Sequence, residues 1–385
     1  MSKKRILVLL LIVAVLAIGQ CPVSAAKATK SPYVIGAIFS ASGDNAPLGV
    51  PEHDTVVMLV KQINAAGGIK GHPVQVIYND DAGKAEVAVQ ACQNLLANKN
   101  VIAIIGPTLT GPSLAIATMC EKAGMPLISC AASVKIVQPV KPYVFKTAQT
   151  DSLAVMKLLD YLKKAKIKRV AFINDSNAFG ASGRDQWQKL SGAAGITTVD
   201  TESFNSTDTD MTPQMTKIRS MNPQAVVCWG TNPGPAMVAQ NMRKIGMKQP
   251  LLMSHGISNM EFIRLAGSAA NGVIFPAGKL LVARNISKND PQRAKLLKYN
   301  SDYQKAFGKP ANTFGGHAYD ALMLVVNATK AVGPNRAKIR AAIEKTKGFV
   351  GISGVFNMSP REHNGLTKDA FALVTIKNGK WALAK

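Results

Sequence analysis

From Tyr33 onward, short apolar runs alternate with helix-period segments almost without a break, and that alternation leaves few folds open. The clearest unit starts at Val101–Ile105, an apolar run with the look of a buried strand, which breaks at Gly106-Pro107. A hydroxyl-bearing loop follows (Thr108, Thr110, Ser113), then a helix whose apolar positions include Ala115, Met119 and Cys120. Ala123-Gly124 ends that helix, residues 126–129 read as the next strand, and Cys130-Ala131-Ala132-Ser133 forms a second small-residue loop. In parallel α/β sheets, ligands lie beyond the carboxyl ends of the strands, against helix N-termini with unpaired N–H groups. Two neighbouring loops of this kind predict the floor of a site for a carboxylate or a similar small polar group.

The same grammar holds on both sides of this unit. Residues 33–40 and 74–78 read as strands, and Val56, Val57, Val60 and Ile63 mark one face of the helix between them. That helix stops at Gly67-Gly68, and residues 85–96 form the next. After an irregular link at 147–150 a second series begins. Strands are expected at 170–173, Thr197–Phe204, Ala225–Trp229, Leu251–Met253 and 273–275, and helices at 153–162, 182–190, 211–221 and 236–245. A Pro/Gly link at 276–278 leads to three long helical patterns, 291–307, 313–331 and 334–346. Strand-like pieces at 350–356 and 371–376 follow, the latter ending in the hairpin signal Asn378-Gly379. The fold class expected is α/β, with two doubly wound, Rossmann-like lobes, since each series is too short for a barrel.

The first residues read as a targeting segment. Lys3, Lys4 and Arg5 precede an apolar run over residues 6–18, and small residues up to Ala25-Ala26 offer a cleavage site, so an exported, soluble protein in the periplasm is expected. Gln20 stands where a lipoprotein signal carries a small residue, which disfavours an acyl anchor on Cys21. The net charge of +24 is spread along helices and ends, with no arginine-rich run, so it suggests steering of anionic solutes and not a nucleic-acid partner. Cys92, Cys120, Cys130 and Cys228 all lie in or beside apolar segments; they allow three pairings and the sequence chooses none.

Catalytic patterns are missing. Gly106–Ser113 approaches a phosphate-binding loop but lacks its lysine, no GxSxG elbow occurs, and the five histidines show no metal-ligand spacing. Asp80-Asp81 reads as a turn or helix cap. Neither an enzyme nor a metal or cofactor is expected.

The segments IGAIFSASGDNAPLG, INAAGGIKGHPVQVIYNDDAG, IIGPTLTG, PLIS, KPYVFKTAQTD, FNSTDTDMTPQMTKI and LAGSAANGV together resemble the periplasmic leucine/isoleucine/valine-binding proteins of ABC importers, over nearly all of the chain after the leader. The resemblance implies a type I periplasmic binding protein, a two-lobed clamp with three hinge crossings near Thr150, Ala277 and Ser353. The leader then covers 1–25, the first lobe 32–149 and 278–352, and the second lobe 150–277 and 353–385. It also implies a monomer that captures a small ligand and hands it to a membrane permease, or, as the alternative, a ligand-sensing receptor with the same clamp.

The family's site carries over residue by residue. Thr110 matches the hydroxyl residue that grips the ligand carboxylate with side chain and backbone N–H. Ala131 matches a residue whose backbone carbonyl accepts from the ligand's charged end, and Ser133 a hydroxyl beside it. Phe179 and Phe314 fall at or near aromatic positions, Leu48 where amino-acid binders often carry tyrosine, and Thr231 and Asn232 in the loop that closes over the ligand. Where amino-acid binders place an acid against the ligand's ammonium, this chain has His255, with Glu261 as a nearby carboxylate. A histidine is neutral or cationic and offers an ammonium no opposite charge. The implied cargo is therefore a branched-chain or other amino acid, or an aromatic or aliphatic carboxylate without an amine.

Overall fold

The structure is a computed structural model and describes residues 30–384; the expected leader, its cleavage site and Cys21 lie outside the described residues. The first lobe opens with β1 (Tyr33–Phe39), α1 (Ala46–Ala65), β2 (Val74–Asp80), α2 (Ala85–Ala97), β3 (Val101–Ile105), α3 (Thr110–Lys122), β4 (Leu127–Ser129) and β5 (Val144–Lys146). Its five strands are all parallel, in the order β2-β1-β3-β4-β5.

The chain crosses at Thr150, whose hydroxyl caps the next helix by accepting from the Leu153 N–H. The second lobe then runs α4 (Asp151–Lys164), β6 (Arg169–Asp175), α5 (Ala178–Ser191), β7 (Thr197–Phe204), α6 (Thr212–Ser220), β8 (Ala225–Trp229), α7 (Gly234–Lys244), β9 (Leu251–Met253), α8 (Met260–Ala266) and β10 (Ile274–Gly278). The chain returns to the first lobe for α9 (Arg293–Phe307), α10 (Thr313–Val332), α11 (Arg336–Glu344) and a small hairpin, β11 (Phe349–Val350) and β12 (Val355–Phe356). It ends in the second lobe with β13 (Phe371–Lys377) and β14 (Lys380–Leu383). The second sheet has the order β14-β13-β10-β9-β8-β6-β7, parallel from β7 to β10 and antiparallel at β13 and β14.

Strand β1 shows why these strands are apolar throughout. Successive side chains point to opposite faces, and both faces are covered by helices. Ile35, Ala37 and Phe39 face α1 and α10, while Val34 and Ile38 face α2 and α3. In both sheets the order in which strands are added reverses, between β1 and β3 in the first lobe and between β6 and β8 in the second. Loops leaving those strand ends diverge and open a crevice. At the end of β3, Gly106 adopts φ +86°, and a Cβ there would stand 2.0 Å from the Ile38 carbonyl oxygen, so only glycine lets this turn sit against β1.

Four features depart from the expectations. Residues 276–278 are not a link: they complete β10 and pair antiparallel with β13, a partner that arrives from almost a hundred residues downstream. The 350–356 piece is two short strands of a hairpin. Helix α8 was not anticipated; it is only seven residues long and is started by Asn259, whose side chain accepts from the Phe262 N–H. The third crossing falls later than Ser353. Phe356, Met358 and Leu366 pack in the first-lobe core, the Lys146 N–H donates to the His363 carbonyl, and the His363 ring stacks on Phe145. The chain joins the second sheet only at Phe371. Ser353 still touches the hinge, because its carbonyl accepts from Gln149 Nε2 at 2.6 Å.

Candidate functional site

Both crevices open toward each other and enclose one cavity of about 310 Å³. That is at the lower end of the range for ligand pockets and suits a small occupant. The first lobe contributes Leu48 from α1, the β3 loop from Thr108 to Gly111, the β4 loop from Cys130 to Ala132, and Phe314 and His317 from α10. The second contributes Asp175 at the end of β6, Asn177 to Phe179 beyond it, Thr231 and Asn232 after β8, and His255 and Gly256 after β9.

The first wall is built around the start of α3. Helices α4, α5 and α10 are capped by the side chains of Thr150, Asn177 and Asn312; α3 is not, because Leu109 occupies its N-cap position. The Ser113 N–H bonds to the Leu109 carbonyl, Pro112 has no N–H, and those of Thr110 and Gly111 have no protein acceptor. Unpaired donors and the positive end of the helix dipole therefore meet the cavity beside the Thr110 hydroxyl. Behind them Thr108 is pinned: its hydroxyl accepts from the Ser40 N–H at 3.0 Å and donates to Glu52 Oε2 at 2.5 Å. Burial holds the Glu52 carboxyl well above the ordinary carboxylate range, with the Thr108 bond pulling the other way and the Asp81 charge adding to the rise.

The second wall is aromatic. The Phe179 ring lies 5.9 Å from that of Trp229 and 5.5 Å, edge-on, from the His255 ring, which also meets Phe371 at 5.4 Å. Gly256 is the close-packed point, since a Cβ there would lie 2.4 Å from the Gly230 carbonyl oxygen and 2.9 Å from the Phe179 ring. His255 is buried, and neither ring nitrogen has a hydrogen-bond partner in the protein. Burial, aided by the nearby Lys146 ammonium, pushes its pKa down to about 3, so the ring is neutral. On the first lobe His317 is likewise pushed down to about 3 by burial, then by His255 and Lys146, and its Nδ1 bonds the Ser353 hydroxyl at 2.8 Å. Lys146 itself, buried beside the cavity, is brought down to about 7 by desolvation, against the pull of Asp151 and Glu362.

Eight of the nine residues expected at the site line this cavity: Leu48, Thr110, Ala131, Phe179, Thr231, Asn232, His255 and Phe314. Ser133 does not. Its hydroxyl is turned to Ser182 of the second lobe, 2.6 Å away, and Ser182 in turn donates to Asp151, so Ser133 joins the lobes beside the cavity. Glu261 is also elsewhere, paired with Arg264 Nε at 2.8 Å and lining a separate hollow. Sequence reasoning missed Asp175 and His317, both in the cavity wall. Asp175 sits where β6 ends, a signal available in the sequence; His317 is three residues beyond Phe314, on the same helix face. Asp175 accepts from the Asn177 N–H at 3.1 Å and the Ser206 hydroxyl at 2.8 Å, and burial raises its pKa.

The family pattern described as Periplasmic binding protein matches residues 32–380. The chain belongs to that family. This periplasmic binding protein is 26% identical over 359 residues to the Leu/Ile/Val-binding protein homolog 3 of Brucella melitensis, covering 92% of this chain and 94% of that one. Its fold matches an extracellular ligand-binding receptor from Rhodopseudomonas palustris HaA2 with a TM-score of 0.86 at 28% identity, over 92% of this chain and all of the other. It also matches the branched-chain amino acid transporter substrate-binding protein LivJ of Streptococcus pneumoniae, solved with isoleucine, with a TM-score of 0.82 at 26% identity, over 92% and 99% of the two chains. Membership establishes a solute-binding role and an extracytoplasmic setting. Among the described residues, no helix is long and apolar enough to cross a membrane.

Proposed function

We propose that this protein is the solute-binding component of an ABC importer, exported by its leader, which captures a small carboxylate between its lobes and delivers it to the permease. The carrying observation is the uncapped start of α3 facing a wall that is aromatic and neutral. The carboxylate takes the Thr110 hydroxyl and the free N–H groups of Thr110 and Gly111; Ala131 borders that end, and the apolar body packs on Leu48, Phe179 and Phe314. Phe179, Thr231, Asn232 and His255 add contacts from the second lobe only when the clamp is shut. A ligand favours closure by just those contacts.

An amine-free aromatic or aliphatic acid fits this wall best, because His255 supplies hydrogen bonds but no negative charge for an ammonium. A branched-chain amino acid is the second reading. The names of the relatives favour it, and Asp175 is the buried carboxylate in the cavity wall that could meet an ammonium, though it already accepts from Asn177 and Ser206. Calorimetric titration with leucine, its keto acid and benzoate decides between them. The keto acid or benzoate is expected to bind at least as tightly as leucine. Tight leucine binding with no response to either amine-free acid would overturn the ligand class, and His255→Glu should shift preference toward the amino acid.

A further inference from the structure

We propose that Cys92 and Cys120 form a disulfide, joining α2 to α3, when the chain folds under oxidising conditions. The sequence left three pairings open, and the fold selects this one. Cys92 lies on α2 and Cys120 on α3, and both are fully buried in the apolar layer that covers one face of the first sheet, among Ala88, Leu95 and Ile116. Their Sγ atoms are 3.7 Å apart, in van der Waals contact. A disulfide needs about 2.0 Å, so an approach of roughly 1.7 Å is required, within the reach of side-chain rotation on two helices already packed together. Cys130 belongs to the cluster on the opposite face of the same sheet, and Cys228 to the core of the second lobe, so neither competes for a partner.

The setting supplies the chemistry. An extracytoplasmic compartment holds disulfide oxidants, and the pair is accessible to them while the helices are still docking. One cysteine thiolate attacks a disulfide sulfur of the oxidant and expels one oxidant thiolate. The second cysteine thiolate then attacks the protein sulfur of that mixed disulfide and expels the other. The two cysteines lose two electrons, the oxidant gains them, and the two thiol protons pass to the released thiolates through solvent. The product closes a loop whose ends are 28 residues apart in sequence and ties down α3, the helix that carries Thr110 at its start.

The inference depends on the oxidising setting only for its occurrence in the cell, so two arms separate it from the proposed export. In the first, the reduced, unfolded chain without its leader, and so without Cys21, is refolded in oxidised and reduced glutathione, denatured, alkylated and mapped by mass spectrometry. The expected result is a Cys92–Cys120 linked peptide, a mass about 2 Da below the thiol form, and alkylation of Cys130 and Cys228 only. Alkylation of all four, or a different pair, overturns the proposal. In the second arm, cells expressing the chain with its leader are alkylated before reduction and fractionated; free thiols on chain retained in the cytoplasm, with the bond formed in the first arm, would count against export and not against the pairing, whereas free Cys92 and Cys120 on exported chain would overturn the bond. Thermal melting gives a separate readout. Reductant should lower the Tm of the oxidised wild type by roughly 5 °C and leave Cys92→Ala and Cys120→Ala unmoved. A wild-type Tm indifferent to reductant would show a packed thiol pair and nothing more.

Discussion

Two helices point their N-termini into the same cavity and treat them oppositely. At α5, Asn177 caps the helix, its side chain accepting from the N–H groups of Phe179 and Gly180 at 3.0 Å each. At α3 the corresponding position is Leu109, which can accept nothing, and the Thr110 and Gly111 N–H groups remain free. The same backbone geometry therefore yields one wall that lacks an acceptor and one that is already satisfied. The first can hold an anion, whereas the second is free to present rings, Phe179 and the neutral His255, to whatever the anion is attached to. Anchoring and selection are thereby divided between the lobes, as a clamp needs if its ligand is to bind one half and close the other.

Each wall also carries one buried histidine, and acid tests both with the largest expected effect. The rings of His255 and His317 ordinarily titrate near 6.5 and are held near 3 in the fold. Below pH 6.5 the unfolded chain takes up protons that the folded chain refuses, so stability present above pH 6.5 is lost as pH falls toward 3. By pH 5 the loss is about 2 kcal/mol per ring. Denaturant melts across this range should fall more steeply for wild type than for the double variant His255→Gln, His317→Gln, whatever the variant's absolute stability. Equal slopes would mean that the rings are not sequestered.

Thr110→Val keeps the shape of the first wall and removes its hydroxyl. Binding of every carboxylate should weaken alike, by roughly 1–3 kcal/mol, the scale of a hydrogen bond to a charged group. Selectivity between leucine and amine-free acids should stay constant, since that belongs to the other wall. A change in selectivity by calorimetry would show that anchoring and selection are not divided in this way.

Exchanging the caps attacks the comparison itself. Leu109→Asn gives α3 its own acceptor, so stability should rise by about 1 kcal/mol while ligand binding weakens, because side chain and ligand compete for the same N–H groups. Asn177→Ala should cost about 1 kcal/mol of stability with little change in affinity. Stability and affinity moving in the same direction at Leu109 would place the ligand elsewhere in the cavity.

The alternation of apolar runs and helical periods determined by itself that this chain would form parallel α/β lobes, and the loops at the strand ends marked where a ligand could sit. Those signals are local: a strand with both faces covered must be apolar throughout, as β1 is, and a turn such as Gly106 needs its glycine wherever the rest of the chain goes. Leu109 ahead of Thr110 was equally visible, though its meaning lay in the absence of a capping side chain. What only the tertiary structure decided depends on residues distant in sequence. Strand β10 extends to Gly278 because β13 arrives beside it, and the last crossing falls at Phe371 because His363 docks on Phe145. Ser133 turns from the cavity because Ser182 of the other lobe accepts its company, and Glu261 is out of reach because Arg264 holds it over a different hollow. The neutrality of His255 is of the same kind. No neighbour in sequence makes it so; burial among Phe179, Trp229 and Phe371, with Lys146 close by, removes the water that would have stabilised its charge.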